Sequence, residues 1–318
     1  MRETTTTQPE SGSSSILRPR FGWLSDAWLV RIFLTPTMVL LLLIAIFPLI
    51  WSLYLSFTKY SVIKDADTGP VWVGFGNYAK LLADPNIWGR FTTTGAFVVP
   101  AVAIELILGF GLALLLNRNF AGRGLLLTAM LTPMMLCPVV VALFWRFMFR
   151  ADTGVLNWFI RDVFHWNEKG VFWLTDVKIA MWSIVMVDVW MWTPFMMLIT
   201  LAGLQAVPTY LYEAAEVDRA STWFKFRQIT LPIIAPLILV GLIFRLIDSY
   251  RLFDTVYALT GGGPARATQV LSVYIYQVAF RDFNTGVGSA LGYIMLIVII
   301  ALANLLIRLL NGLKAENE

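Results

Sequence analysis

The chain is poor in the residues that soluble catalysis and metal chemistry rely on. Its 318 residues include one cysteine, Cys137, and one histidine, His165. A single cysteine excludes a disulfide framework within the chain. Metal centres draw on several His, Cys or carboxylate ligands at fixed spacing, and the sequence offers no such set. One histidine and no recognisable nucleophile–base spacing leave little for acid–base chemistry. A Walker A sequence is absent, so no P-loop nucleotide site is expected. No catalytic residue, metal or cofactor is therefore expected. Charge is scarce too: 14% of residues are Asp, Glu, Lys or Arg and 58% are hydrophobic, against about 25% and 45–50% in soluble domains. A water-soluble protein so composed would expose large apolar patches and precipitate. Composition and a mean hydropathy of +0.72 thus describe a polytopic membrane protein. The formal charge of +4 fits the cationic bias of that class and gives no reason to expect nucleic-acid binding.

What is present is a series of long apolar runs. Residues 1–15 are rich in Thr, Ser and Glu and read as a disordered tail within a polar segment 1–31; no signal-peptide pattern follows. Six spans are expected over about 32–57, 94–116, 125–149, 179–204, 229–250 and 287–307, each near the length that crosses ~30 Å of hydrocarbon. Such runs are about twice as long as a barrel strand and lack its alternation, so the fold class is all-α, a transmembrane helical bundle over 32–311 with a polar tail at 312–318. With both termini cytoplasmic, the inner segments hold 11 Lys/Arg in 73 residues and the outer ones 10 in 100, a weak positive-inside bias. Three of the outer connections run to 28–36 residues, a length typical of functional surfaces.

A polar island interrupts the runs at 213–232. Glu213, Glu216 and Asp218 cluster on a short helix at 209–226, expected in its first turn, where the helix dipole favours negative charge. Ala214 and Ala215 give it a surface without bulk, and Tyr210, Tyr212, Trp223, Phe224 and Phe226 surround it with rigid aromatic area, a combination suited to filling a groove on a partner. The bland alternative is an amphipathic helix lying on lipid headgroups. The spacing Glu213-Ala214-Ala215, then Ile229-x-Leu231-Pro232, resembles the EAA loop of permease subunits of binding-protein-dependent ABC importers. One position departs: Arg219 stands where that family usually has Gly, so the turn is expected to become continuous helix or to hold a strained residue.

A second stretch, Leu259-Thr260-Gly261-Gly262-Gly263-Pro264 followed by Thr268, resembles the loop after the fifth conserved span of sugar-uptake permeases of the maltose and glycerol-3-phosphate type. Phe75-Gly76-Asn77-Tyr78 and Gly154-x-x-Asn157 match the same family. The resemblance implies a six-span type I ABC importer permease in the cell inner membrane. It further implies a second homologous permease subunit, two ATPase subunits that meet Glu213, Ala214, Ala215, Glu216, Asp218 and Arg219, and an extracytoplasmic solute-binding protein that meets Gly261, Gly262, Gly263 and Pro264. The substrate it implies is a sugar or related solute.

Charges inside spans are costly and hence functional candidates. Glu105 lies near a midplane, and Arg146, Asp188, Arg245 and Asp248 lie in the outer half of their spans. Asp188, Trp192, Arg245, Asp248 and Tyr250 are expected to line an outward-facing polar pathway; an internal salt-bridge ladder through Arg245, Asp248, Arg251 and Asp254 is the equally weighted alternative. Trp190 and Trp192 are about 200° apart around a helix, so one of them faces lipid or a neighbour. A rival function, an ion- or proton-coupled secondary transporter, would use Glu105 and Asp188, but no inverted repeat is evident.

Overall fold

A computed structural model describes residues 26–315 apart from Glu168. The segment 1–15, Arg18 and Arg20 lie outside the described residues. The chain divides into two units, residues 1–51 and 52–318. In the first, α1 (Asp26–Leu41) passes through a π-helical turn, Leu42–Ile46, into α2 (Phe47–Ser56). The helical stretch Val30–Ser56 is long and apolar enough to cross a membrane.

The second unit begins with a two-stranded ribbon, β1 (Thr58–Lys59) antiparallel to β2 (Val71–Trp72), then α3 (Gly76–Ala83) and the long α4 (Pro85–Leu116). Asp84 caps α4 by accepting from the Asn86 amide at 2.9 Å, with Pro85 at the first helical position, where its missing N–H costs nothing. The run expected as a third span is interrupted. It forms α5 (Arg123–Leu131), a 3₁₀ turn Pro133–Met135 and α6 (Pro138–Met148), because Pro133 and Pro138 each remove a helical donor. After α7 (Val155–Trp158) come α8 (Ala180–Ala206), α9 (Thr209–Val217), α10 (Thr222–Phe224), a π-helical segment Lys225–Thr230, and α11 (Leu231–Tyr250). The chain continues through α12 (Asp254–Leu259), α13 (Leu271–Tyr276) and α14 (Thr285–Ala315). Among the described residues, five helical stretches are long and apolar enough to span. The last helix runs through residues 312–315, which the sequence had suggested as tail.

Two core clusters give the helix directions. Phe97, Ala101 and Val102 of α4 meet Ile184, Val187 and Met191 of α8, together with Tyr250, Leu271 and Ala290. Toward the other end, Ala113 and Leu116 of α4 meet Leu201 and Leu204 of α8 and Ile234 of α11. α4 and α8 therefore run parallel, and α11 runs antiparallel to both. The α4–α8 crossing depends on Gly109: a Cβ there would lie 2.7 Å from Met196 Cβ and 2.8 Å from the Met197 amide nitrogen. Small residues that let backbones approach are the usual means of packing helices in lipid.

Two asparagines from the short family motifs fasten the connections. Asn77 donates to the carbonyls of Ser56 and Thr58 at 2.9 and 2.8 Å. Asn157, fully buried, donates to the carbonyls of Arg150, Ala151 and Val171 and accepts from the Val171 amide and Trp173 Nε1. Each side chain thereby satisfies backbone groups that a buried loop would otherwise leave unpaired.

Candidate coupling surface and buried charge cluster

The polar island folds as α9 and α10 joined by a tight turn. α9 begins at Thr209, after Pro208, so Glu213 lies in the middle of the helix and Glu216 and Asp218 at its end. The expected first-turn placement of these acids is corrected: the helix starts four residues upstream of Glu213, and the dipole gives the acids no support. Tyr210, Glu213, Ala214 and Val217 recur at the spacing of one helical face. All four are exposed, Tyr210 at 65% and Val217 at 84%. Ala215 is turned inward at 7%. Of the six candidate coupling residues, Glu213, Ala214, Glu216, Asp218 and Arg219 are thus exposed and Ala215 packs inside.

Arg219 resolves the question posed by the missing glycine. Its φ is +53°, the left-handed conformation that glycine adopts freely and other residues only at a cost. The Ala220 amide donates to the Ala215 carbonyl at 2.8 Å and the Arg219 amide to the Glu216 carbonyl at 3.0 Å, which is a Schellman stop with an arginine in the glycine position. The next helix is fastened to α9. Lys225 Nζ lies 2.9 Å from Glu216 Oε1, a hydrogen bond that holds the Glu216 carboxyl below its ordinary range. The Tyr212 and Thr230 hydroxyls are 2.8 Å apart, and Phe226 packs edge-on to Phe110 of α4. These contacts join the element to α4 and, through Thr230, to the start of α11. Trp223 and Phe224 remain exposed beside α9.

The intramembrane charges converge. Arg245 of α11 forms a fork with Glu105 of α4, Nε to Oε2 at 2.6 Å and Nη2 to Oε1 at 2.8 Å. Its Nη2 also donates to Asp188 Oδ2 of α8 at 2.8 Å, and its Nη1 to Asp248 Oδ2 at 3.1 Å. Arg245 and Asp188 are 2% exposed and Glu105 is fully buried. One guanidinium thus ties three helices through charge-assisted bonds, which are the strong ones. Trp192 closes the cluster from the side, its ring 4.9 Å from Arg245 Cζ, a cation–π contact. Asp248 is partly exposed and continues to Arg251 at 3.5 Å, so the cluster takes in the ladder as far as Arg251.

A cavity of about 320 Å³ opens beside Trp192, Asp248, Arg251 and Asp254. Of the five pathway candidates, Trp192 and Asp248 line it, whereas Asp188, Arg245 and Tyr250 are buried behind. Trp190 faces the other way, into an apolar groove with Trp145 and Trp182. The Glu105–Arg245 partnership, 140 residues apart, was missed at the level of sequence. The available signal was that Glu105 is the one charge in the apolar run 94–116 and Arg245 lies inside the run 229–250 with the opposite sign. A coupled transporter would need Glu105 and Asp188 free to load an ion; both are held by Arg245.

The glycine loop is also tied. Gly261 and Gly262 have φ of +62° and +92°. Thr268 Oγ1 donates to the Gly263 carbonyl at 2.5 Å and sits 2.7 Å from Thr260 Oγ1. Gly262 is buried against Gln269, Gly263 and Pro264 are half-buried, and Gly261 is exposed.

Comparison with known proteins agrees with this geometry. Residues 105–313 match the family described as binding-protein-dependent transport system inner membrane component. The chain is 37% identical over 290 residues to the probable ABC transporter permease protein y4oQ of Sinorhizobium fredii, covering 90% of this chain and 91% of that one. It is 35% identical over 280 residues to the trehalose/maltose transport system permease protein MalF of Thermococcus litoralis, covering 87% and 91%. Its fold matches that of a chain in a bacterial ABC transporter involved in the import of the acidic polysaccharide alginate, at a TM-score of 0.76 and 23% identity over 90% of this chain and 96% of that one. The chain belongs to the binding-protein-dependent transport system inner membrane component family and is the membrane-embedded permease subunit of an ABC importer, with ATP hydrolysis on a separate subunit.

Proposed function

We propose that this subunit forms half of a translocation pathway for a sugar, pairs with a second homologous permease, and is driven by two ATPase subunits that grip α9 on the cytoplasmic side. The observation that carries the reading is the outward face of α9: an apolar stripe of Tyr210, Ala214 and Val217 with Glu213 in its middle, placed on a polar island between two spans and exposed. Closure of the ATPase pair moves that face. The ties from Tyr212 and Phe226 carry the motion into α11 and α4, and the bundle swings between inward- and outward-facing states. With α9 inside, both termini are cytoplasmic and the glycine loop lies outside, where Gly261 to Pro264 meet the extracytoplasmic solute-binding protein.

The sugar assignment draws on relatives named for trehalose, maltose and starch products. It suits the 320 Å³ cavity, where the Trp192 ring can cover an apolar sugar face and Asp248 can accept from hydroxyls. In this reading Arg245 and Asp188 support the wall and do not touch solute, and Tyr250 packs beneath it.

Glu213→Lys tests the coupling. Reversing a charge at the centre of a docking face costs about 2 kcal/mol or more in the manner of a hot spot, so ATP-dependent uptake should fall by roughly thirtyfold while the chain inserts normally. Wild-type uptake in that variant contradicts the proposal.

A further inference from the structure

At the end of the bundle opposite α9, a second polar cavity of about 510 Å³ opens between the start of α4, the segment after the glycine loop, and α13 with the turn that follows. Three arginines line it: Arg90, Arg266 and Arg281. Among the described residues none of the three is within ion-pair distance of a carboxylate. Arg90 is 9% exposed and, among the described residues, its Nε has no hydrogen-bond partner. Its Nη1 reaches only the Arg266 carbonyl, at 3.5 Å, and its guanidinium lies over the Tyr274 ring at 5.7 Å. Arg281 is held by the Tyr257 hydroxyl at 2.9 Å. Two carboxylates share the lining, Asp84 and Asp282. Asp84 is already engaged as the cap of α4.

A guanidinium nine-tenths buried with an idle donor is expensive unless something completes it. The fork of an arginine is matched by a carboxylate. Arg266 stands at the rim on backbone with φ of +66°, next to Ala265 at +46°, on the exposed loop that leads away from Gly261. The cavity is separate from the one lined by Trp192 and Asp248, so it is set apart from the solute path described above.

We propose that this cavity is a receptor for an acidic side chain of the docked solute-binding protein, with Arg90 as the buried anchor and Arg266 as the steering charge at the rim. The assignment rests on the importer reading, in which the solute-binding protein docks at this end. The acidic side chain enters between Tyr274 and Arg266 and accepts from the Arg90 guanidinium. Buried charge pairs set the lifetime of a complex, whereas rim charges set its rate of formation and its salt dependence.

The test uses the complete transporter in lipid nanodiscs with its own solute-binding protein, reading ATPase activity against solute-binding-protein concentration at low and high salt. Arg90→Gln should raise the half-saturating concentration roughly tenfold or more with the maximal rate unchanged, and Arg90→Lys should lie between it and wild type. Arg266→Gln, at an exposed position, should raise it about threefold at low salt and leave it near wild type at high salt. Unchanged half-saturation in both glutamine variants overturns the assignment. That includes the case in which only the maximal rate falls, the behaviour of a cavity that takes a carboxylated solute. A wild-type complex that no solute-binding protein stimulates overturns the importer reading, and the receptor with it.

Discussion

Arg245 and Glu213 are both charged residues in a chain that has few, and the fold treats them in opposite ways. Arg245 is closed on all sides, with three carboxylates and a tryptophan face around it. Glu213 stands open on a helix whose apolar face is also open. In hydrocarbon, a charge that is not satisfied within the chain is too costly to keep, so the cluster is complete in itself and joins α4, α8 and α11. A helix that leaves Tyr210 and Val217 exposed around a carboxylate is incomplete in itself, and on that the proposed docking of another subunit rests. Self-satisfaction at Arg245 and its lack at Glu213 are the contrast that the proposed scaffold and interface roles draw on.

The largest expected effect breaks the closed half of that comparison. Arg245→Ala leaves Glu105 and Asp188 buried without a counter-ion, at a cost of about 3–5 kcal/mol. The amount of folded protein in the membrane should collapse, and adding Glu105→Gln and Asp188→Asn should restore part of it. Normal accumulation of the single variant would show that the cluster is not scaffold.

An intermediate effect comes from Asn157→Ala, which strands two buried donors, the Val171 amide and Trp173 Nε1, and the acceptors around them. A loss of about 1–3 kcal/mol is expected. Limited proteolysis should cut the 150–177 connection faster while leaving α9 unchanged. Cleavage at the wild-type rate would mean that Asn157 does not fasten the connection.

The smallest effect sharpens the open half. Arg219→Gly relieves the left-handed residue and should raise stability by about 1 kcal/mol, read as a small increase in Tm. If Arg219 contacts the ATPase, uptake by that variant falls despite the gain. If it serves only the turn, uptake is unchanged.

Much of this was legible before the fold. Runs of apolar residues marked Ala180–Ala206 closely and the end of Pro85–Leu116, though not its first nine residues, because hydropathy over ~20 residues leaves helices as the spanning form. Glu213-Ala214-Ala215 marked the exposed helix, and Arg219 in a glycine position left continuous helix or a strained residue open, of which the second is found. The break at Pro133 and Pro138 was less visible, since prolines inside a span can also be absorbed as kinks. The start of α9 at Thr209 was anticipated, but the acids were assigned to its first turn although Glu213 lies four residues on and Glu216 and Asp218 at its end. The Arg245–Glu105 fork was hidden because pairing across 140 residues depends on which helices are neighbours, which hydropathy does not report. Asn77 and Asn157 read as family markers, and their work as fasteners showed only once the carbonyls around them were placed.

The most direct test of the central claim is a crosslinking contrast between two adjacent alanines on α9. With Cys137→Ser as background, Ala214→Cys presents a thiol on the exposed face and Ala215→Cys one on the buried face. The account predicts that Ala214→Cys crosslinks to the ATPase subunit in the assembled transporter, in a manner that changes with ATP, and that Ala215→Cys does not. Equal crosslinking from both positions, or crosslinking of Ala214→Cys to the solute-binding protein, would contradict it.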